Sequence, residues 1–329
     1  MRLSDFDYHL PKELIAQYPL KKRDEARMLV VHRATGNLEH RIFADIAEYL
    51  AQDDLLVLND TKVVSCRLHG RRSTGGKVEV FLLKEKPGLV FEALLKPGRL
   101  KLGEKIAFGN SAVLCEITGK NEVRFLAENT EEVYALGEVP LPPYIKRAPE
   151  AADAEDYQTV YAREKGSVAS PTAGLHFTEA LLEKIKKAGA GMSFLTLHVG
   201  LATFKPVSCE DITRHPMGKE YFMISDSTVS ALADTRKKNG RVIAVGTTSC
   251  RSLEAYASGM REGYTDLFIY PGYEFKNVDC LLTNFHLPKT TLFMLVCAFA
   301  GTALATKAYA AAIEEKYRFY SYGDAMLII

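Results

Sequence analysis

The chain has 329 residues, of which 47% are hydrophobic and 25% are charged, and its formal net charge at pH 7 is +1. A chain of this length and composition can bury a sizeable core and is expected to divide into two domains. The small net charge excludes a global electrostatic attraction to nucleic acid or membranes, so such a partner has to be met by a local charged patch.

The first 59 residues predict a strand, a helix and a second strand, in the runs MLVVHR, DIAEYL and LLVLN. The sequence pattern changes between about Thr61 and Pro143. Here short runs of alternating apolar and polar residues are separated by glycine-containing turns at a spacing of about 8 to 12 residues. These runs are CRLHG, KVEVFLL, LVFEALL, KIAFG, AVLCEIT and EVRFLA. They predict a small β-barrel or sandwich.

After LPPYIKR, strands and helices alternate again up to the C-terminus. The predicted strands are MSFLTLHVG, YFMIS, RVIAVGT and DLFIYP, and the predicted helices are TEALLEKIKKA, STVSALADTRKKN and AYAAAIEEKYRF. The fold expected is an α/β main domain (residues 1–59 and 153–329) interrupted by an inserted small all-β barrel domain (residues 60–152).

Three further features bear on the compartment. The uncharged stretch Thr290–Thr306 is shorter than the ~20 residues of a membrane span, and it predicts a buried core helix. The N-terminus carries acidic residues and has no continuous apolar run, which is not the pattern of a signal peptide. The six cysteines are scattered without a CxxC pair or metal-ligand spacing, so we expect reduced thiols, no metal and a cytoplasmic location.

The predicted barrel is locally basic. Between Lys62 and Lys105 there are eleven Lys and Arg against four Glu, a surplus of seven positive charges. This surplus indicates either a surface that contacts nucleic-acid phosphates or an ordinary solvated face of a small barrel.

Several predicted strands of the α/β domain end in loops of small or polar residues, where open α/β sheets place their ligands. The stretch SVASPTAGLHFT contains Gly174 and His176, FLTLHVG contains His198, and TNFHLP contains His286. The loop GTTS, which is neither GxGxxG nor a Walker sequence, gives no reason to expect a dinucleotide or a nucleoside triphosphate. The residues of each of these loops can also be explained by turn formation or core packing, without a ligand.

Taken together, these stretches make the chain resemble the S-adenosylmethionine:tRNA ribosyltransferase-isomerase family of queuosine biosynthesis. The resemblance runs nearly end to end through PLKKRDEARMLVV, VLNDTKVV, GGKVEVFLL, LLKPGR, LPPYIKR, YQTVYA, PTAGLHFT, TLHVGLATFKPV, VIAVGTTS, FIYPGY, LLTNFHLP and YRFYSYGDAMLI. Two positions depart from the family pattern: Gly218 replaces a usual histidine and Tyr264 replaces a usual tryptophan.

The resemblance implies transfer and isomerisation of the ribosyl group of S-adenosylmethionine onto 7-aminomethyl-7-deazaguanine at the tRNA wobble position. The cosubstrate is then S-adenosylmethionine, without metal or flavin, and the expected form is a cytoplasmic monomer that binds tRNA and no membrane. Acid/base roles are expected for His176, His198 and His286, with Asp60 as the carboxylate alternative.

The remaining expected sites fall into two groups. The candidates for binding S-adenosylmethionine are Gly174, Gly246, Thr247, Thr248, Ser249, Arg251, Tyr270, Gly272 and Tyr273. The candidates for binding tRNA phosphates are Lys62, Arg67, Arg71, Arg72, Lys96 and Arg99.

Two other classes of function compete with this interpretation. One is a noncatalytic RNA-binding protein in which the α/β domain is a scaffold, and the other is a dinucleotide oxidoreductase. The absence of GxGxxG counts against the oxidoreductase, and the polar loops at the strand ends count against a pure scaffold.

Overall fold

The computed structural model describes residues 1–200 and 207–329, so residues 201–206 of the motif TLHVGLATFKPV lie outside it. Its larger unit is built on a nine-stranded mixed sheet, with strands numbered along the chain. Their spatial order is β16 (Glu262–Thr265), β14 (Glu220–Ile224), β13 (Gly191–Leu197), β3 (Leu55–Asn59), β15 (Val242–Val245), β17 (Cys280–Asn284), β18 (Ala325–Ile328), β1 (Arg27–Val31) and β2 (Leu38–Ile42).

The centre of this sheet is parallel. Strands β13, β3, β15 and β17 pair in parallel, while β14 and β16 at one edge and β2 at the other pair antiparallel to their neighbours. Every residue of β3, β15 and β17 is buried. A parallel strand covered on both faces has to be apolar along its whole length, which is why these strands appear in the sequence as continuous hydrophobic runs.

Helices cover both faces of the sheet. The helices that pack on it are α3 (Glu179–Lys187), α4 (Asp226–Lys237), α5 (Gly246–Tyr256), α6 (Thr291–Ala300) and α7 (Thr302–Glu314). Two shorter helices are α1 (Thr130–Ala135), whose Val133 packs in a separate core cluster, and α2 (Asp153–Asp156). Leu55 and Val57 of β3 pack into the core with residues of α5, α6 and α7, whereas Leu56 and Leu58 pack on the opposite face with residues of α3. The alternation of side chains along a strand thus produces a three-layer α/β/α unit.

The second unit is a closed antiparallel barrel of six strands. These are β5 (Arg67–Arg72), β6 (Lys77–Lys86), β7 (Val90–Lys96), β10 (Glu122–Leu126), β9 (Leu114–Gly119) and β8 (Lys105–Ala107), and β8 pairs back with β5. A short strand, β11 (Gly137–Glu138), adds to the edge of β5. The predicted α/β domain with an inserted β-barrel is therefore confirmed, while the exact boundaries at residues 60 and 152 stay a prediction.

A two-stranded parallel ribbon joins the two units. Strand β4 (Thr61–Val63) immediately precedes the barrel, and strand β12 (Glu164–Ser167) follows it, and the two pair side by side. The chain thus leaves the nine-stranded sheet and returns to it at neighbouring positions.

DIAEYL is helical as predicted, since all but Leu50 lies in the 3₁₀ helix Phe43–Tyr49. Two local predictions were wrong. DLFIYP is irregular, because the strand β16 ends before it, at Thr265. The stretch Thr290–Thr306 is not one helix, since Gly301 adopts a positive φ of 84° between α6 and α7. An L-residue with a side chain disfavours that conformation, so glycine is the residue expected at this corner.

No single helix of residues 1–200 and 207–329 is long and apolar enough to cross a membrane, and α6 with α7 pass that test only as a pair bent by 114°. All six cysteines are free thiols, and five of them are buried.

Candidate functional site

A cleft of about 550 Å³ opens at the carboxyl ends of the parallel strands β15 and β17. Its walls come from several distant parts of the chain, among them the stretch before α3, the start of α5, the end of β17 and the C-terminal tail. The lining residues are Tyr144, Tyr157, Ala169, Ser170, Pro171, Thr172, Ala173, Val199, Gly246, Thr247, Thr248, Thr283, Asn284, His286, Leu292, Tyr320 and Ser321.

The loop GTTS forms one wall of this cleft as the first turn of α5. The helix begins at Gly246, whose φ is +89°, so GTTS is not the separate connection that the sequence predicted. Thr247 and Thr248 line the cleft, and the Oγ1 atom of Thr248 is buried without a hydrogen-bond partner among the described residues. The first turn of a helix also presents unpaired main-chain N–H groups, so this wall can donate several hydrogen bonds.

Ser170 contributes a further polar group to the same cleft. Its side chain is 5% exposed, and its Oγ atom has no hydrogen-bond partner within residues 1–200 and 207–329. A buried hydroxyl without a partner costs free energy, and a bound polar ligand would recover that cost. Ser249 Oγ is also buried and has no partner in the part of the chain that the structure describes, but Ser249 is not a lining residue.

His286 is the one histidine among the lining residues of the cleft. Its Nε2 atom lies 2.8 Å from the Oγ1 atom of Thr283, and its main chain is held by the hydroxyls of Tyr309 and Tyr8. Burial lowers the pKa of His286 to about 3. The imidazole is therefore neutral at physiological pH and can act as a neutral hydrogen-bonding group.

His176 lies behind the wall of the cleft and not in its lining. It faces a second, smaller cavity whose walls include Arg23, Asp156 and Tyr322. Burial lowers the pKa of His176 to about 4, and its Nε2 atom lies 3.1 Å from the side-chain nitrogen of Asn284.

His198 and Asp60 form a separate polar cluster beside the β4–β12 ribbon. His198 Nδ1 lies 2.7 Å from Thr61 Oγ1, and Asp60 accepts hydrogen bonds from Arg163 and Thr196, each at 2.7 Å. Burial raises the pKa of Asp60. Burial also lowers the pKa of His198, although the negative charge of Glu164 acts to raise it. The structure therefore does not bring the four predicted acid/base residues into one lining.

Gly174 and Arg251 also lie outside the lining of the cleft. A Cβ atom on Gly174 would lie 2.0 Å from the hydroxyl oxygen of Tyr161, so the glycine makes room for Tyr161. Arg251 is buried, forms an ion pair with Glu220, and donates from Nε to the carbonyl oxygen of Leu267 at 3.1 Å. Both residues therefore have roles in packing, whereas the sequence predicted that they bind a ligand.

The aromatic side chains that line the cleft are not those of the predicted binding residues Tyr270 and Tyr273. Tyr270 packs against Phe268, the hydroxyl of Tyr273 donates to Glu254 at 3.1 Å, and the exposed Gly272 has a φ of +100°. None of these three lines the cleft. Its aromatic side chains are those of Tyr144, Tyr157 and Tyr320, which the sequence analysis did not select.

These tyrosines could not be found from local pattern. Tyr144 lies after the barrel and Tyr320 lies in the tail, yet their ring centroids are 3.7 Å apart. Tyr144 also shares a hydrogen bond with Ser321 at 2.5 Å. Their motifs, LPPYIKR and YRFYSYGDAMLI, belong to the family resemblance, and that resemblance was the one signal for them in the sequence.

The predicted phosphate contacts are spread over the barrel. Arg71 and Lys96 lie in a broad groove of about 1440 Å³ that His69, Lys77 and Glu79 also line. Lys96 is 79% exposed and lies 3.4 Å from Glu79.

The other predicted phosphate contacts lie outside the walls of this groove. Arg72 forms a bidentate ion pair with Glu104, which engages much of its hydrogen-bonding capacity. Arg67 lies over the ring of Phe81, Arg99 is exposed, and Lys62 is half-buried on β4.

Among the residues that the structure describes, no group of three or more His, Cys, Asp or Glu is placed to hold a metal ion.

A family model described as "Queuosine biosynthesis protein" matches residues 3–328 of the chain. A protein of Sulfurihydrogenibium sp. and one of Halothermothrix orenii, both named S-adenosylmethionine:tRNA ribosyltransferase-isomerase, are 51% and 50% identical to it over the full length of both chains. A crystal structure of an S-adenosylmethionine tRNA ribosyltransferase from Thermotoga maritima is 37% identical, covers 99% of this chain and 100% of its own, and has a TM-score of 0.59. With nearly every residue matched and half of them identical in full-length relatives, the chain belongs to the queuosine biosynthesis protein family.

Proposed function

We propose that the chain is an S-adenosylmethionine-dependent tRNA ribosyltransferase-isomerase. It transfers and isomerises the ribosyl moiety of S-adenosylmethionine onto 7-aminomethyl-7-deazaguanine at the wobble position of tRNA, giving epoxyqueuosine-tRNA, adenine and methionine. The names of the full-length relatives support this function. The observation that carries it in the structure is the cleft at the ends of β15 and β17, whose buried hydroxyls are left for a ligand.

The reaction draws its driving force from the sulfonium of the cosubstrate. The positive charge on sulfur acidifies the adjacent 5′ carbon of the ribose, so that loss of a proton there can be followed by departure of adenine. The tRNA amine then attacks the electrophile formed, and closure of the epoxide expels methionine. The protein has to supply a proton acceptor, a hydrogen-bond donor for adenine and an environment that keeps the amine neutral.

The first turn of α5 is suited to the carboxylate of the methionine portion. Its main-chain N–H groups, the hydroxyls of Thr247 and Thr248, and the Oγ atom of Ser170 line one cleft. A helix N-terminus attracts anions through these N–H groups and the helix dipole, and the buried unpartnered hydroxyl of Ser170 is a second observation that favours a polar ligand.

His286 is best suited to a neutral role beside the reacting groups. Its low pKa makes its imidazole a weak proton acceptor, so we assign it hydrogen bonding to the departing adenine. The acid/base roles of His198 and Asp60 stay predictions, because those residues lie in the separate cluster beside the ribbon.

The basic groove of the barrel is our proposed contact for tRNA phosphates, and the expected form remains a cytoplasmic monomer. The competing function, noncatalytic RNA binding, would use the same groove but would leave the buried hydroxyls of the cleft without a purpose. The buried hydroxyls in the cleft therefore favour the enzyme.

The function is tested by the release of labelled adenine from S-adenosylmethionine. We expect release only when the purified chain, S-adenosylmethionine and tRNA carrying 7-aminomethyl-7-deazaguanine are all present. Unmodified tRNA is the matched control, because it lacks the attacking amine. Tight tRNA binding without any adenine release would instead establish the RNA-binding alternative.

The carboxylate site is tested by the double substitution Thr247→Val and Thr248→Val, which removes two hydroxyls with little change in volume. We expect the Kd for S-adenosylmethionine to rise about tenfold or more, since a hydrogen bond to a charged group contributes roughly 1.5–3 kcal/mol. Calorimetric titration measures the change. Thr235→Val, at a buried threonine of α4, is the control, and equal affinities in all three proteins would remove the site from the first turn of α5.

The neutral state of His286 predicts a pH dependence of stability. Its pKa of about 3 in the folded chain lies below the value of about 6.5 expected when unfolded, so the unfolded state takes up a proton first as the pH falls. This linkage costs the folded state about 2 kcal/mol between pH 7 and pH 5. Urea unfolding at the two pH values should show a smaller loss in His286→Gln by about that amount, and an unchanged loss would contradict the buried neutral imidazole.

The barrel groove is tested by the triple substitution Arg71→Gln, Lys77→Gln and Lys96→Gln. We expect weaker tRNA binding and a fall of about 2–3 in the slope of log K against log salt, because each phosphate contact contributes about 0.7–0.9. The control neutralises three exposed lysines of α3, Lys184, Lys186 and Lys187, at the same change of net charge. A groove variant with the slope of the wild type would place the RNA contacts elsewhere.

A further inference from the structure

The side chain of Asn284 lines the main cleft and contacts His176, which lines the second cavity. It lies at the end of β17, is 2% exposed, and is a lining residue of the cleft. On one side its amide nitrogen Nδ2 faces His176 Nε2 at 3.1 Å and the carbonyl oxygen of Tyr320 at 3.2 Å. On the other side its oxygen Oδ1 accepts a hydrogen bond from Thr172 Oγ1 at 3.2 Å.

These contacts determine which way the amide is turned. A main-chain carbonyl can only accept a hydrogen bond, so the group that faces Tyr320 has to be the NH₂ of Asn284. The carbonyl oxygen of Asp324 lies on the same side, 3.5 Å from Nδ2. The oxygen Oδ1 is consequently directed toward Thr172, which also lines the cleft.

The same geometry determines the tautomer of His176. Its Nε2 atom faces an N–H donor and therefore has to be an unprotonated acceptor. Burial lowers the pKa of His176, and a main-chain hydrogen bond with Arg23 acts in the opposite direction. The ring also packs on Phe43 with centroids 4.9 Å apart, which limits its rotation.

We infer that His176 is a positioning residue whose neutral imidazole holds the amide of Asn284, so that Asn284 Oδ1 accepts a hydrogen bond from an N–H or O–H donor of the ligand in the cleft. An amide oxygen has two lone pairs, and the contact with Thr172 uses one. The donor is a hydroxyl or amino group of S-adenosylmethionine. The identity of this ligand rests on the proposed function, whereas the arrangement of the two side chains does not.

This role differs from acid/base catalysis by His176. The ring lies behind Asn284 in the second cavity, so it reaches a ligand in the cleft through the amide and not by direct contact. Loss of a positioning residue lowers kcat/KM by the same factor at every pH. Loss of a general base removes an inflection from the pH profile of kcat/KM.

The inference is tested by a double-mutant cycle with His176→Phe and Asn284→Ala, read as the Kd for S-adenosylmethionine and as kcat/KM from pH 6 to pH 9. Each single substitution is expected to weaken binding about tenfold, the equivalent of one hydrogen bond of roughly 1.4 kcal/mol. The double variant should bind less than about twofold more weakly than Asn284→Ala, because His176 acts through Asn284. Additive effects, or a pH inflection lost with His176, would overturn the inference.

Two further variants separate positioning from loss of structure. His176→Gln keeps an acceptor for the amide, so it should recover most of the affinity that His176→Phe loses. His198→Phe combined with Asn284→Ala is the matched control, and its two effects should multiply because His198 does not contact Asn284. No recovery with glutamine would count against the inference, provided that urea unfolding shows equal stability for the two His176 variants.

A measurement on the unaltered chain does not depend on any variant folding. Nitrogen-15 NMR of the histidine side chains at pH 7 should show His176 neutral and unprotonated at Nε2. A proton on Nε2 would overturn the inference whether or not the chain releases adenine. Failure of adenine release by the wild type would instead contradict the proposed function and leave this arrangement standing.

Discussion

The burial of β3, β15 and β17 on both faces is the constraint on which the rest of the structure depends. Such strands cannot carry polar side chains along their length, because a buried polar group without a partner is costly. Polar residues are therefore confined to the strand ends, as Asn284 is at the end of β17. Gly246 begins the connection that leaves the sheet after β15. Since β15 and β17 are parallel neighbours, these connections meet at one edge and make a single cleft.

The same constraint explains which parts of the fold could be predicted from sequence. Buried parallel strands and alternating barrel strands have strong patterns, and the α/β unit with an inserted barrel followed from them. DLFIYP and the single helix over Thr290–Thr306 were wrong because apolar composition alone does not locate an element's end. Gly301, with its positive φ, was the local signal that ends the helix α6.

The candidate site was only partly predictable for a different reason. Thr247, Thr248 and His286 lie at strand ends, and a rule about sheet edges finds such residues. Tyr144, Tyr320 and Ser170 enter the cleft through contacts between segments far apart in the chain, which periodicity does not report. The predicted roles of Gly174 and Arg251 could not be separated from packing without knowing that Tyr161 and Glu220 lie beside them.

The pairing of β1 with β18 sets the order in which the two units can form during synthesis. Met28 lies opposite Ala325, so the antiparallel pair of β1 and β2 cannot join the rest of the nine-stranded sheet until the ribosome has made β18. The barrel strands all lie between Arg67 and Leu126, and their contacts are complete much earlier. On a growing chain the inserted unit can therefore fold first, while β3 waits for β13 and β15, and the pair of β1 and β2 waits for β18.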